Sequence, residues 1–219
     1  MEFVIPLVIF IVLVDIVVVV FIFRAMKGKR DVFMEQLGKE YGLGTTGGDP
    51  VFPRIPFLSG LRKPIELVGE YRGKLLKIYH YTVGSGNSST TYATARILGF
   101  TGNDISFEVR REGFLSKLGK AVGLQDVRVG DEKFDKLFLV KASDTAVIAV
   151  TFVPEIRAKF LKVWDELEAK GRIQLNGEEL RYDEAGTIRN EAARLRFEAV
   201  VELLTDLAEA IEVYRASAG

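Results

Sequence analysis

Residues 65–98, IELVGEYRGKLLKIYHYTVGSGNSSTTYATARIL, decide the fold: strand-like runs at 65–71, 74–83 and 90–98 are separated by turn residues. A fourth run, 104–110 (DISFEVR), alternates Ile105, Phe107 and Val109 with Ser106, Glu108 and Arg110, as a strand with one buried face does. The loop Gly84-Ser85-Gly86-Asn87-Ser88-Ser89 joins two of the longer runs as a hairpin. Together they predict a four-stranded antiparallel meander.

Downstream, Phe114, Leu118 and Val122 mark a short amphipathic helix, and 136–142 (KLFLVKA) reads as another strand. Residues 145–153 suit either a strand or a buried helix. Ile156, Phe160, Val163, Trp164 and Leu167 share one face of a helix that Pro154 opens and Gly171 closes. Residues 172–183 (RIQLNGEELRYD) form a hairpin around Asn176-Gly177, where positive φ favours a type I′ turn. A long helix then runs from about Ile188 to Ala216. Its seam of Phe197, Val200, Leu204, Leu207, Ile211 and Tyr214 is heptad-like, but Val201, Leu203 and Ala208 widen it. A stripe that broad belongs on a core more than in a homotypic coiled coil. The fold class expected is α+β, an antiparallel sheet (β-meander plus hairpin) packed with amphipathic helices.

One transmembrane helix is expected to precede this domain. Residues 3–23, FVIPLVIFIVLVDIVVVVFIF, are apolar apart from Pro6 and Asp15. As a helix they would span ~31 Å at 1.5 Å per residue, the thickness of a bilayer's hydrocarbon core. A cleaved signal peptide would need a basic start and a small-residue cleavage site, and Met1-Glu2 and the exit Arg24-Ala25-Met26-Lys27 provide neither. Arg24, Lys27, Lys29 and Arg30 follow the span and no cation precedes it, so the positive-inside rule places the C-terminal side in the cytoplasm. The expectation is a single-pass cell-membrane protein with a cytoplasmic domain.

Three segments follow from this reading: 1–30, the anchor and its basic flank; 31–64, a juxtamembrane helix and connector; and 65–219, a soluble α+β domain. Phe33, Leu37 and Tyr41 recur at helical spacing, and residues 42–64 carry five Gly and four of the six Pro. The 30 basic and 30 acidic residues balance, and without the juxtamembrane cations and Glu2 and Asp15 they leave 26 against 28. There is no nucleic-acid footprint. The absence of Cys excludes disulfides and thiolate metal sites.

Asp15 is the residue most in need of explanation, because an ionisable group near the centre of a span costs ~2.5–3.5 kcal/mol on insertion scales. Either the apolar surroundings tolerate it, or it contacts a membrane-protein partner or a second copy of this chain. Arg24, Lys27, Lys29 and Arg30 set the topology and can contact lipid headgroups. Gly42-Leu43-Gly44-Thr45-Thr46-Gly47 matches G-x-G-x-x-G without the strand before and helix after that phosphate binding needs. The P-x-x-P frames of Pro50–Pro56 read as a stiff spacer. His80, the single histidine, reads as a cross-strand packing residue, and Asp126, Asp131, Glu132 and Asp135 as turn chemistry. No catalytic residue, cofactor or metal site is assigned.

The run Gly130-Asp131-Glu132-Lys133-Phe134-Asp135-Lys136-Leu137-Phe138-Leu139-Val140-Lys141, with Asp144 and the helix opening at Pro154, resembles a pattern in uncharacterised prokaryotic membrane-anchored proteins with domains of unknown function. There an F-[DE]-x-x-F-x-V strand leads into helices and a hairpin. The resemblance spans about residues 65–185, favours a helix at 145–153 and a prokaryotic source, and implies no activity. The functional expectation is a non-enzymatic interaction or accessory component of a membrane complex. The alternatives are a membrane-tethered hydrolase using carboxylates and a lipid-surface binding module.

Overall fold

The computed structural model describes residues 14–18, 32–47, 64–85, 88–99, 105–112 and 124–218. Residues 32–40 form helix α1, and nine strands follow in one antiparallel sheet: β1 (Gly44–Thr46), β2 (Glu66–Tyr71), β3 (Lys74–Val83), β4 (Thr90–Leu98), β5 (Ser106–Arg111), β6 (Gln125–Val127), β7 (Phe138–Ala142), β8 (Arg172–Asn176) and β9 (Glu179–Ala185). Helices α2 (Glu132–Leu137), α3 (Thr145–Thr151), α4 (Pro154–Leu161) and α5 (Glu191–Ala218) complete the α+β fold.

The strand order is β1-β2-β3-β4-β9-β8-β5-β7-β6. This corrects the four-stranded meander. β2, β3 and β4 do run consecutively, but the β8–β9 hairpin lies between β4 and β5, pairing Ala95 with Tyr182 on one side and Val109 with Ile173 on the other. That hairpin also turns differently from expectation. Asn176 pairs with Glu179, so the two-residue loop is Gly177-Glu178, and only Gly177 has positive φ, at 57°. One left-handed residue at the first loop position matches type II′ and not I′.

Every second strand residue faces a common core. Leu67, Ile78, Ala95, Tyr182, Ile173, Val109 and Val140 stand side by side across seven strands, and all are buried. The helices cover that face. A chain of ring contacts runs from Phe107 through Phe152, Phe134, Phe160 and Trp164 to Tyr182 and Phe197, joining sheet, α2, α4 and α5 in one core. In α5 the residues from Phe197 through Val200, Val201, Leu203, Leu204, Leu207 and Ala208 to Ile211 are buried, so the broad stripe is a packing surface.

Local sequence explains most element ends. Asp131 opens α2 by accepting from the Phe134 amide at 3.0 Å, and Asp144 opens α3 by accepting from the Ala146 amide at 2.8 Å. The strand expected over 136–142 accordingly begins only at Phe138, the six residues before it being helical. Residues 145–151 are helical. Asn190 caps α5 through the Ala193 amide at 2.8 Å. Beyond α4 the chain loosens into a π-helical turn, Lys162–Glu166, and the left-handed residue that ends it is Glu168, with φ 55°. Gly171 is not that stop. It lies so close to Tyr182 that a Cβ would meet the ring at 2.4 Å, which is a packing reason for glycine.

Residues N-terminal to Ile65 belong to the same core. Met34 and Leu37 on α1 have no exposed surface, Tyr41 donates to the Glu198 carbonyl at 3.0 Å, and β1 pairs with β2. The Gly42–Gly47 run is therefore a turn followed by an edge strand. The helix expected around Phe114, Leu118 and Val122 and the spacer Pro50–Pro56 lie outside the described residues.

Candidate functional site: the open face of the sheet

The strand residues that alternate with the core point to the opposite face, and none of the described helices packs there. This face is polar. One register row runs from Lys77 on β3 to Arg96 on β4, Arg181 on β9, Gln174 on β8, Glu108 on β5, Lys141 on β7 and Asp126 on β6. Beside it lies a second row: Tyr79, Thr94, Asp183, Arg172 and Arg110.

The two rows are stitched together. Tyr81 donates to Asp183 Oδ1 at 2.9 Å, and Arg181 Nε lies 3.2 Å from Asp183 Oδ2. Arg181 also donates to Gln174 Oε1 at 2.8 Å, and Gln174 donates to Glu108 Oε2 at 2.7 Å. Arg172 and Arg110 approach the two Glu108 oxygens at 3.4 Å each. Asp183, Arg172 and Glu108 are all buried, so this is a low-dielectric network of charges in which each is held by its neighbours. Burial holds the Arg172 guanidinium below its usual range and, with Asp183 beside it, pushes the Tyr81 phenol up.

Towards β3 the face becomes aromatic and accessible. The Tyr81 and Tyr92 rings stack with centroids 5.5 Å apart, Tyr79 lies 6.2 Å from Tyr81, and the Arg96 guanidinium sits 5.0 Å over the Tyr79 ring. Arg96 also donates to Glu179 at 3.3 Å. Such a surface is suited to contact, since its charges are fixed in place and Tyr79 and Tyr81 are half-buried over the buried Tyr92 ring.

Of the residues singled out in the sequence, His80 lies on the core face, where its Nε2 accepts from the Ile188 amide at 3.0 Å. It packs across the strand and orients the entry to α5. Asp131 and Asp135 are occupied locally: Asp131 caps α2, and Asp135 accepts from the Val129 and Gly130 amides at 2.8 and 3.0 Å. Asp126 pairs with Lys141 at 3.1 Å. These carboxylates are turn and strand chemistry and do not converge.

Asp15 sits on a described helical segment, 14–18, whose side chains Val14, Ile16, Val17 and Val18 are exposed. The rest of the 3–23 run, and Arg24, Lys27, Lys29 and Arg30, lie outside the described residues. Among the described residues no helix is long and apolar enough to cross a membrane. The polar rows were missed in the sequence because their members are scattered over seven separate strands. One local signal was present, the charged and aromatic side chains at alternate positions of 75–83.

No protein-family model matches the chain, and no curated protein matches it. Among solved structures it is similar to the crystal structure of the mycobacterial trehalose monomycolate transport factor A. The TM-score is 0.51 at 10% identity, over 82% of this chain and 92% of that one. The likeness at this identity is one of fold.

Proposed function

We propose that this protein is a membrane-anchored accessory component of a membrane complex, non-enzymatic, with its α+β domain on the cytoplasmic side. The observation that carries this reading is the 21-residue apolar run 3–23, with cations on its C-terminal flank alone, joined to a folded domain whose open face is built for contact. The fold shared with a transport factor is compatible with this reading. Within the span, Asp15 is the residue proposed to contact a partner helix, because a carboxyl group in hydrocarbon is stabilised by a polar neighbour.

The test uses the intact protein. A reporter fused after Gly219 should be active in the cytoplasm, and protease added to intact cells should leave the domain uncut; external digestion would reverse the orientation. Asp15→Leu should still insert while losing associated membrane proteins or a higher oligomer in mild detergent, and Asp15→Asn should keep part of that association. Unchanged co-purification and oligomer size for Asp15→Leu would remove the partner role from this residue.

A further inference from the structure

The link from β9 into α5 is held by hydrogen bonds of different kinds. The Gly186 amide donates to the Thr91 carbonyl at 2.8 Å, the Ile188 amide donates to His80 Nε2 at 3.0 Å, and Asn190 Oδ1 accepts from the Ala193 amide at 2.8 Å. A backbone carbonyl and an asparagine amide oxygen do not titrate in water. The imidazole nitrogen does, and His80 is the single histidine of the chain. Of these acceptors, it alone can be switched by a proton.

The bond requires one protonation state. A backbone N–H can only donate, so Nε2 presents its lone pair and the ring's own proton sits on Nδ1. A second proton, taken from solvent, goes to Nε2 and sets one N–H against another. It also creates a cation where the chain has closed over the ring, since His80 is 9% exposed and Ile188 is fully buried. Both costs are relieved when Ile188 and its neighbours swing away from β3 and admit water. Among the described residues, the charged groups of the surrounding elements are engaged elsewhere. On the core side His80 stands opposite Ala93 and Ala93 opposite Glu184, whose carboxylate is held by Arg196 and Tyr182. At the start of α5, Arg194 pairs with Glu191 and Glu198, and Arg189 is exposed. On α1, Glu35, Lys39 and Glu40 are exposed and Tyr41 donates to the Glu198 carbonyl. Glu66 of β2, Tyr79 and Tyr81 of β3, and Tyr92 of β4 alternate with the core residues and lie on the opposite face.

We propose that His80 is a proton-operated latch: neutral, it holds the link 186–190 against β3, and protonated, it releases that link and frays the first turns of α5. The release reaches α1, because α1 rests on those turns. Gln36, Lys39 and Glu40 line one cleft with Glu191 and Arg194, and Tyr41 is bonded to the Glu198 carbonyl. The latch therefore sets how firmly the N-terminal helix of the domain is seated. The device is independent of the anchor and partner readings above.

The test uses the full-length protein in detergent micelles. Amide hydrogen exchange is read by mass spectrometry at pH 7.5 and pH 5.5, corrected for the intrinsic pH dependence of exchange, with β4 and β9 as internal reference. A latch that closes only on neutral imidazole, whose free form has a pKa of ~6.5, should open about tenfold more at pH 5.5 than at pH 7.5. The stabilisation is complete above that value and is lost as pH falls through it. Increased exchange is expected in 186–190, the first turns of α5 and α1, and not in β4 and β9. Isotope-labelled histidine gives one imidazole signal in this chain, and at pH 7.5 it should report the Nδ1–H tautomer. His80→Gln offers an amide oxygen to the Ile188 amide and takes up no proton in this range, so its link should exchange equally at both pH values. Exchange of the link that is unchanged by acid in the unaltered protein would overturn the proposal. So would an Nε2–H tautomer at pH 7.5, the same acid opening in His80→Gln, or an acid effect spread evenly over the sheet, which would be global unfolding. If His80→Gln does not fold, the tautomer and the exchange pattern of the unaltered protein decide.

Discussion

Arg196 on α5 grips Glu184 on β9 with two parallel hydrogen bonds, Nε to Oε2 at 3.0 Å and Nη2 to Oε1 at 2.7 Å. Its third nitrogen, Nη1, donates to the Leu167 carbonyl at 2.9 Å, and Tyr182 donates to the same carboxylate while accepting from the Gly171 amide at 3.2 Å. One guanidinium thereby fastens the last helix, the central strand and the end of the π-helical turn to one another. Planar, two-pronged geometry of this kind belongs to arginine and not to lysine.

Arg196→Ala should therefore cost about 3–5 kcal/mol, because it leaves the buried Glu184 carboxylate without its counter-charge. Arg196→Lys should recover only part of that. The double change Arg196→Met with Glu184→Leu should be less destabilising than Arg196→Ala alone. Urea unfolding of the three variants beside the unaltered protein checks the order, and a double variant as unstable as Arg196→Ala would contradict it.

Arg72 sits at φ 50° in the two-residue loop between β2 and β3, a conformation costly for a residue with a Cβ. It also donates to Asp206 at 3.0 Å and to Glu209 at 2.6 Å on α5, while Tyr71 donates to Glu202 and Lys74 to Glu212, both at 2.6 Å. Ion pairing and backbone strain thus act in opposite directions at one position. Arg72→Ala loses the pairs and keeps the strain, whereas Arg72→Gly loses the pairs and relieves the strain. The glycine variant should be the more stable of the two by about 1 kcal/mol in thermal or urea unfolding. The reverse order would mean that the loop is not strained.

Alkaline pH should destabilise the domain. Burial, led by desolvation, raises the phenols of Tyr41, Tyr81 and Tyr182, and a hydrogen bond to Glu202 raises Tyr71 to about 12. A raised folded value means that the folded chain holds protons which the unfolded chain releases from about pH 10. Stability is complete below pH 10 and falls as pH rises from there towards the folded values. Ultraviolet titration of the folded protein should show most tyrosines ionising late, with the remainder appearing together on unfolding. Smooth ionisation of all seven near pH 10, with no loss of structure, would rule this out.

Removal of α1 and β1 should weaken the domain. Leu37 is fully buried in the same cluster as Leu67, and Gly38 lies against Leu67, where an added Cβ would be 3.1 Å from Cδ2. Leu37→Ala should cost about 2–5 kcal/mol. A chain of residues 32–219 should unfold cooperatively, and one of 65–219 should melt lower or without a sharp transition. Equal melting temperatures for the two would show that the helix is an accessory to the fold.

The periodic elements could be read from the chain because each is written locally. Alternation at 104–110, the stripe of α5 and the capping acids Asp131 and Asp144 need no distant partner to be recognised. The helix at 145–151 was ambiguous for the same reason: a short apolar run buries equally well in either conformation. The left-handed stop of α4 at Glu168 was illegible, since nothing in a glutamate side chain announces positive φ and only the tertiary route to β8 imposes it.

The sequence by itself determined that there is an antiparallel sheet with a broad-striped helix to cover it, and that a 21-residue apolar run stands ahead of it, because these follow from period, length and side-chain type. Tertiary structure alone decided the strand order. Backbone pairing is indifferent to side-chain identity, and the β8–β9 hairpin enters between β4 and β5 because there both its edges are paired and Tyr182 reaches the core. That insertion places Arg181 next to Arg96, and Lys77 on β3 completes the row. Residues more than eighty positions apart became neighbours through one non-local pairing, which no local pattern in the chain encodes.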